Sequence, residues 1–314
     1  MTTRAPGAVT AESLSAAHAA RWRDLDPLLP DPGPLPEPGD TGARLAAGPA
    51  AVAVARVQAV NIDSLDACWT ALEVHRLTAR IAGPEPEAGM DALLRRWRDR
   101  LPAEVGADSS AVVTWPSRDV EVTPALIRHG LAPLTVIAAR PAGRPAPADR
   151  RAVRVRRAGP ADLASVVALR LATIRYDAYF GVVRERPTTE FRLRELTERV
   201  FARDDPWTWV ATRDGEVVGM VTVDQPPHAD WMAAMTSAGP VGYIDCIGVA
   251  AGSRGSGVGT ALLAQAHRAL DEAGVAVTLL HHGLPNPLST PTYGRHGYRP
   301  LWTVWETRPA GTLR

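Results

Sequence analysis

Val249-Ala250-Ala251-Gly252-Ser253-Arg254-Gly255-Ser256-Gly257-Val258-Gly259-Thr260-Ala261-Leu262-Leu263 joins two unlike patterns of apolar residues. Upstream, Val241 to Val249 is an apolar, β-branched run; downstream, Val258, Leu262, Leu263, Ala266 and Leu270 recur at helical spacing, with Arg268, Asp271 and Glu272 left for the solvent side. The pattern predicts a strand, a glycine-rich turn and a helix. At the start of such a helix the first N–H groups have no partner within it and the macrodipole is positive, so the corner favours an anion such as phosphate. Glycines at 255, 257 and 259 let the backbone approach that anion closely. Two other nucleotide loops fit poorly. A Walker-type loop needs a Lys after its last Gly, and the chain has no Lys; a dinucleotide fingerprint needs a third Gly where Thr260 or Leu262 stands.

Beyond the helix come a second apolar run, Val275 to Leu280, then Asn286, Tyr293 seven residues later, Gly297-Tyr298 and a closing strand around Trp302 to Trp305. Together with Arg254-x-x-Gly257-x-Gly259, this order resembles the second half of the GNAT N-acetyltransferase superfamily, over residues 152 to 311. The resemblance implies an α/β (α+β) fold in which a mixed, mostly antiparallel sheet is flanked by helices. It implies acetyl-CoA as co-substrate and no metal. Arg254, Gly255, Ser256, Gly257, Val258, Gly259 and Thr260 would then cradle the pyrophosphate. Ile247, Gly248 and Val249 would offer amides to the thioester and the pantetheine arm where their strand splays from its neighbour, and Asn286 would complete the cofactor site. Tyr293, on a short helix, would protonate the departing thiolate. Pro291 falls inside that helix and is expected to kink or shorten it.

Amide formation from a thioester needs a neutral amine, stabilisation of an oxyanion and a proton for the leaving sulfur. Asp245 is the candidate base, with a water relay, His281 and His282 as rivals. Period-two alternation sends Tyr243, Asp245, Ile247 and Val249 to one face and Cys246 to the other, which makes Cys246 a core residue rather than a nucleophile. The resemblance places the acceptor wall on the first two helices and the loop between them, here holding Tyr176, Tyr179 and Phe180, which either clasp substrate or fill a core. The long connection Asp224 to Pro240 carries Trp231 and reads as a lid or as a disordered excursion. His282 is a further acceptor-side candidate.

The chain repeats itself. Arg128-His129-Gly130, Pro133-Leu134, Thr135-Val136 and Arg140-Pro141-Ala142-Gly143 return as Arg295-His296-Gly297, Pro300-Leu301, Thr303-Val304 and Arg308-Pro309-Ala310-Gly311. The strand Ala111 to Trp115 matches Val275 to Leu280. Ala43 to Leu45, a Gly48-Pro49 turn and Ala50 to Val57 echo Thr208 to Thr212, Asp214-Gly215 and Glu216 to Val223. Two copies of one fold in tandem are expected: residues 11–141, a Pro/Ala linker at 142–151, and an active copy at 152–314. The first copy has Glu85-Pro86-Glu87-Ala88-Gly89-Met90 in place of the glycine corner, Leu126 or Ile127 in place of Tyr293, and the proline-rich stretch Pro30 to Gly39 in place of a helix. Its carboxylates would repel a pyrophosphate, so it reads as a degenerate partner for the active copy.

A formal charge of +1 spread along the chain gives no basic stripe, and no nucleic-acid partner is expected. Met1 to Thr10 has no signal pattern and no stretch is long and apolar enough for a bilayer, so a cytoplasmic protein without a membrane partner is expected. Cys68 and Cys246 have no metal-ligand spacing and read as free thiols. The leading functional expectation is an N-acetyltransferase acting on a primary amine of a small molecule, with a peptide or protein N-terminus also open, working as a monomer with an internal pseudo-dimer. A mycothiol-synthase-like acetyltransferase and a non-catalytic CoA-binding sensor are the alternatives.

Overall fold

The computed structural model describes residues 11–48, 50–145 and 153–314. The Gly48-Pro49 turn at Pro49, Met1 to Thr10 and much of the 142–151 linker lie outside the described residues. In chain order the elements are α1 (Ala11–Leu25), β1 (Ala43–Ala46), β2 (Ala51–Ala59), β3 (Glu73–Ile81), α2 (Pro86–Arg98), β4 (Ser109–Pro116), α3 (Thr123–Arg128), β5 (Ala132–Pro141), β6 (Arg154–Arg157), α4 (Leu163–Ala178), α5 (Thr189–Phe201), β7 (Thr208–Arg213), β8 (Glu216–Asp224), β9 (Val241–Val249), α6 (Val258–Glu272), β10 (Val277–Gly283), α7 (Ser289–Arg295) and β11 (Arg299–Thr307). The order β1-β2-β3-α2-β4-α3-β5 recurs as β7-β8-β9-α6-β10-α7-β11.

Packing divides the chain differently from the repeat. Among the described residues, one compact unit holds those of 11–60, 71–133 and 302–314; the other holds those of 61–70 and 134–301. Strand pairing explains the difference. In the first unit β1, β2, β3 and β4 are followed by β11, whose Trp302–Thr307 run antiparallel to Pro116–Ala111 of β4. In the second, β6 to β9 pair in sequence order, β10 lies parallel to β9, and β5 runs antiparallel along β10 from Val277↔Pro141 to Gly283↔Thr135. Each repeat thus sends its closing strand to the other unit. The stretch Pro30 to Gly39 forms no helix or strand; it bends at Pro34, and Gly33 and Gly39 hold left-handed φ of 60° and 69°.

Within the second unit α6 buries Val258, Leu262, Ala266 and Leu270 against Val221, Val223 and Ile244 of the sheet, each large aliphatic side chain contributing about 1.5–3 kcal/mol. Glycines make that approach possible. A Cβ on Gly219 would meet Val258 Cγ1 at 2.6 Å, and one on Gly242 would meet Leu270 Cδ2 at 2.5 Å. On the opposite face α4 packs Val166 and Leu169 against Val210 and Met220. No helix among the described residues is long and apolar enough to cross a membrane. Both cysteines are free thiols, and Cys68 packs in the second unit although its sequence belongs to the first repeat.

Candidate functional site

The site begins where β9 and β10 part. Their parallel ladder runs Val277↔Val241, Thr278↔Gly242 and Leu279↔Tyr243, although β9 continues to Val249 and β10 to Gly283. Past Tyr243, β9 keeps its pairing with β8 only, so amides of Ile247, Gly248 and Val249 that alternate away from β8 face the gap. Gly248 lies under α4, where a Cβ would meet Thr173 Oγ1 at 3.0 Å and the Leu169 carbonyl at 3.1 Å.

A bulge corrects the expected alternation of β9. Thr222 pairs with Cys246 and Val223 with Ile244, so Asp245 is the extra residue of the strand. The extra residue resets the parity. Ile244, Ile247 and Val249 pack on the α6 side, whereas Cys246 packs on the α4 side, with Asp245 bonded there to Arg170. Asp245 therefore does not share a face with Ile247 and Val249. Arg170 Nη2 donates to Asp245 Oδ2 at 2.6 Å, with 3% of the Arg170 side chain and 27% of the Asp245 side chain exposed. Burial works against the guanidinium charge, but the Asp245 carboxylate outweighs it and Arg170 stays charged. Burial pushes the Cys246 thiol up to about 12, so it carries no thiolate at neutral pH.

At its far end β9 turns into the glycine corner. Gly255 and Gly257 have φ of 70° and 90°, left-handed values that a side chain would strain, and Gly257 is the N-cap of α6. Val258, Gly259 and Thr260 form the first helical turn, where an α-helix provides no carbonyl for their N–H groups. Ser256 Oγ donates to the Ser253 carbonyl at 2.6 Å and lies 2.9 Å from Arg213 Nη2, bringing a second cation to the corner. Arg254 is exposed and lies over the Tyr176 ring, 4.4 Å from its centroid.

The opposite wall is α7 with its approach. Asn286 is buried; its Nδ2 donates to Asp177 Oδ1 at 2.7 Å and its Oδ1 accepts from the Leu288 amide at 2.9 Å. The helix forms despite Pro291 because it starts at Ser289. Pro291 is then its third residue, where no N–H is needed, and its cost is a helix of only seven residues. Tyr293 lies tilted beside His282 at 5.4 Å and edge-on to Tyr298 at 5.8 Å. Burial first, then the neighbouring Cys246 and Asp177, push its phenol pKa up, so it is a neutral proton donor. Asp177 is itself raised by burial, against the opposing effects of Asn286 and Arg254.

On the α4 face of the sheet, Tyr243 Oη lies 2.9 Å from His281 Nδ1, and Trp231 meets Tyr243 edge-on at 4.9 Å and lies parallel to the His281 ring. His281 is open to solvent on one side and crowded on the others; that crowding, with His282 beside it, lowers its pKa to about 4. His282 is buried and likewise lowered by burial. The connection carrying Trp231 is an ordered segment, with a short 3₁₀ helix over Asp230–Met235 and Ala229 and Met232 buried. Asp224, bonded to Arg203 Nη1 at 2.7 Å, is raised by burial and by Asp245. Of the three candidate aromatics two stay together: Tyr176 lies under Arg254 and meets Phe180 edge-on at 5.3 Å, Phe180 packs on the cluster of Leu171 and Ile174, and Tyr179 is 85% exposed.

Sequence reasoning missed Arg170 and Asp177. Val166, Arg170, Ile174 and Asp177 fall on one helical face by spacing alone, and an Arg in an otherwise apolar stripe signals a buried partner. A pocket of about 320 Å³ lined by Asn61, Asp63, Ser64, Leu65, Arg192, Glu195 and Arg199 shares no residue with the strand gap. Among the described residues no group of three His, Cys, Asp or Glu is placed to hold a metal.

The corresponding place in the first unit is filled. By register Ile81 corresponds to Val249, and His18 Nδ1 of α1 lies 3.1 Å from its amide nitrogen and 2.9 Å from its carbonyl oxygen. Trp22 and Trp115 close around His18 at 4.5 and 5.8 Å. At the corner, Glu87 and Asp91 are tied to Arg128, and Asp91 also meets His129. Leu126, at the place of Tyr293, is fully buried. That unit offers no groove along Ile81.

Residues 169–298 match the sequence model of the acetyltransferase (GNAT) family. A GCN5-related N-acetyltransferase from Sphaerobacter thermophilus has a similar fold, with TM-score 0.56 over 98% of this chain and 95% of its own at 17% identity. An acetyltransferase of the GNAT family from Colwellia psychrerythraea gives TM-score 0.51 over 85% and 84% at 10% identity. At such identities the likeness is one of fold, and it extends over both units. No curated protein matches the sequence.

Proposed function

With residues 169–298 belonging to the acetyltransferase (GNAT) family, we propose that this chain transfers an acetyl group from acetyl-CoA directly to the primary amine of a small molecule. One observation carries the reading: the gap that opens past Tyr243 and Leu279 leads along β9 to a helix start whose glycines hold left-handed φ. An elongated group with a diphosphate fits that course. The N-terminal turn of α6, with Arg254 and Arg213 beside it, would hold the diphosphate; Ile247 to Val249 would bond the pantetheine arm; Asn286 would line the far side.

The residues then divide the work. Amides of β9 past the bulge stabilise the oxyanion that forms when the amine nitrogen attacks the thioester carbonyl. Asp245, directly or through one water, takes the proton the amine loses. Tyr293 gives its phenolic proton to the sulfur as the C–S bond breaks, and solvent restores it. The products are an amide and the free thiol of CoA, with no acyl group on the protein; Cys246 stays protonated throughout. Calorimetry with acetyl-CoA and thiol release across a panel of primary amines, with Tyr293→Phe alongside, test this. Binding with stoichiometry of one and amine-dependent thiol release are expected; binding with no release to any amine points instead to a CoA-responsive binding protein.

A further inference from the structure

The segment Asn61–Thr70 belongs by sequence to the first repeat, where it links β2 to β3, yet it packs within the second unit. There it holds the stretch between α4 and α5. The Arg184 amide donates to the Cys68 carbonyl at 2.8 Å, Arg186 Nε to the Ala67 carbonyl at 2.8 Å, and Arg192 Nε to the Asp63 carbonyl at 2.6 Å. Cys68, 1% exposed, joins the core of Leu171, Val182 and Leu193, with its sulfur 2.9 Å from Thr189 Oγ1. Held from behind, Val182 presses on Gly283, where a Cβ would meet Val182 Cγ2 at 2.5 Å. Gly283 ends β10, the arm of the gap opposite Ile247–Val249.

A connection of this length without secondary structure is ordinarily mobile. Here bonds from two guanidinium groups, which are stronger than neutral ones, and a buried thiol fix it from outside. We propose that Asn61–Thr70 is a positioning element contributed by the degenerate repeat: it sets Val182–Arg186 against the open end of β10 and thereby the width of the amine entrance. This gives the first repeat a role in acceptor choice while its own groove is filled. It rests on the acetyl-transfer reading above.

Arg186→Met with Arg192→Met in the full chain removes the bonds and keeps the apolar stems. Spermidine, glucosamine and tyramine serve as acceptors, and thiol release without amine reports transfer to water. Amide exchange over 180–188 should accelerate about tenfold or more, acetyl-CoA affinity and release to water should change less than about threefold, and KM for the accepted amines should rise about tenfold with kcat nearly kept. Val182→Ala, which leaves the Asn61–Thr70 bonds in place, should reproduce the KM change if the double variant does not fold. Unchanged KM values and amine preference in a working enzyme overturn the positioning role alone, as does unchanged exchange. A wild-type chain that binds acetyl-CoA and acetylates none of the three overturns both this role and the amine-acceptor reading.

Discussion

Asp245→Asn separates a structural carboxylate from a catalytic one. Arg170 is almost wholly enclosed and its Nη2 is bonded to Asp245 at 2.6 Å. Taking away the anion leaves an enclosed guanidinium without its counter-charge, a loss of about 3–5 kcal/mol for a fully buried pair; the partial opening of Asp245 places this one near about 3 kcal/mol. For a chain of 314 residues unfolding as one, at about 2.1 cal/mol/K per residue, that corresponds to a fall of about 4–5 °C in melting temperature. Arg170→Met/Asp245→Asn removes both charges and keeps the volume, and should recover all but about 1 kcal/mol. Proton transfer behaves differently: loss of a general base costs about 10²–10⁴-fold in kcat, and that loss should persist in the double variant. Calorimetric melting and thiol release at saturating acetyl-CoA read the two effects separately. A single variant that melts within about 2 °C of wild type refutes the buried pair; a double variant with wild-type turnover refutes the base.

Tyr293→Phe should lower kcat about 10²–10⁴-fold with acetyl-CoA affinity unchanged by calorimetry, since the phenol acts only as the C–S bond breaks. Gly257→Ala forces a side chain into φ of 90° at the start of α6, a strain of about 1–2 kcal/mol, and should weaken acetyl-CoA binding about tenfold in the same titration. Calorimetry should return one acetyl-CoA per chain, because His18, Trp22 and Trp115 fill the first unit's groove; a stoichiometry of two would contradict that packing. Burial lowers His18 from 6.5 to about 4, so the unfolded chain binds the proton first on acidification. The share of stability due to His18 is complete above pH 6.5 and falls by about 1.4 kcal/mol per pH unit toward pH 4, in addition to the shares of the likewise lowered His267, His281, His282 and His296. Denaturant midpoints against pH should show the summed slope, and His18→Gln should lessen it by the share of His18 alone.

The strands and helices of the second repeat were legible because their apolar periods are clean: Val241 to Val249 is one strand from end to end, and the helical stripe that begins at Val258 is α6. The glycine corner was legible for a related reason, since only glycine accepts the φ values found at 255 and 257. What escaped were features that depend on partners distant in sequence. The bulge at Asp245 arises from pairing with β8, and nothing within Val241–Val249 marks where one residue too many must be accommodated. Arg170 could have been suspected from its stripe, but its partner lies 75 residues away. Asp177 became visible only through the Asn286 side chain that bonds it at 2.7 Å.

The repeat itself was the part of the sequence most open to misreading as architecture. Similarity between Arg128–Gly143 and Arg295–Gly311 marks the end of each copy, and a boundary in the linker after residue 141 follows from it. Strand pairing obeys a different logic, because a sheet is completed by whichever strand covers its open edge. Without β5 the second unit would expose the backbone edge of β10 from Val277 to Gly283, and with it Val136 and Ala138 would leave the core that holds Tyr298 and Leu280. β10 is also the arm of the gap, along its other edge towards β9, that carries Gly283 and leads to Asn286 and Tyr293. The proposed chemistry would therefore rest on a strand from the first repeat, whose own groove is filled by His18, Trp22 and Trp115.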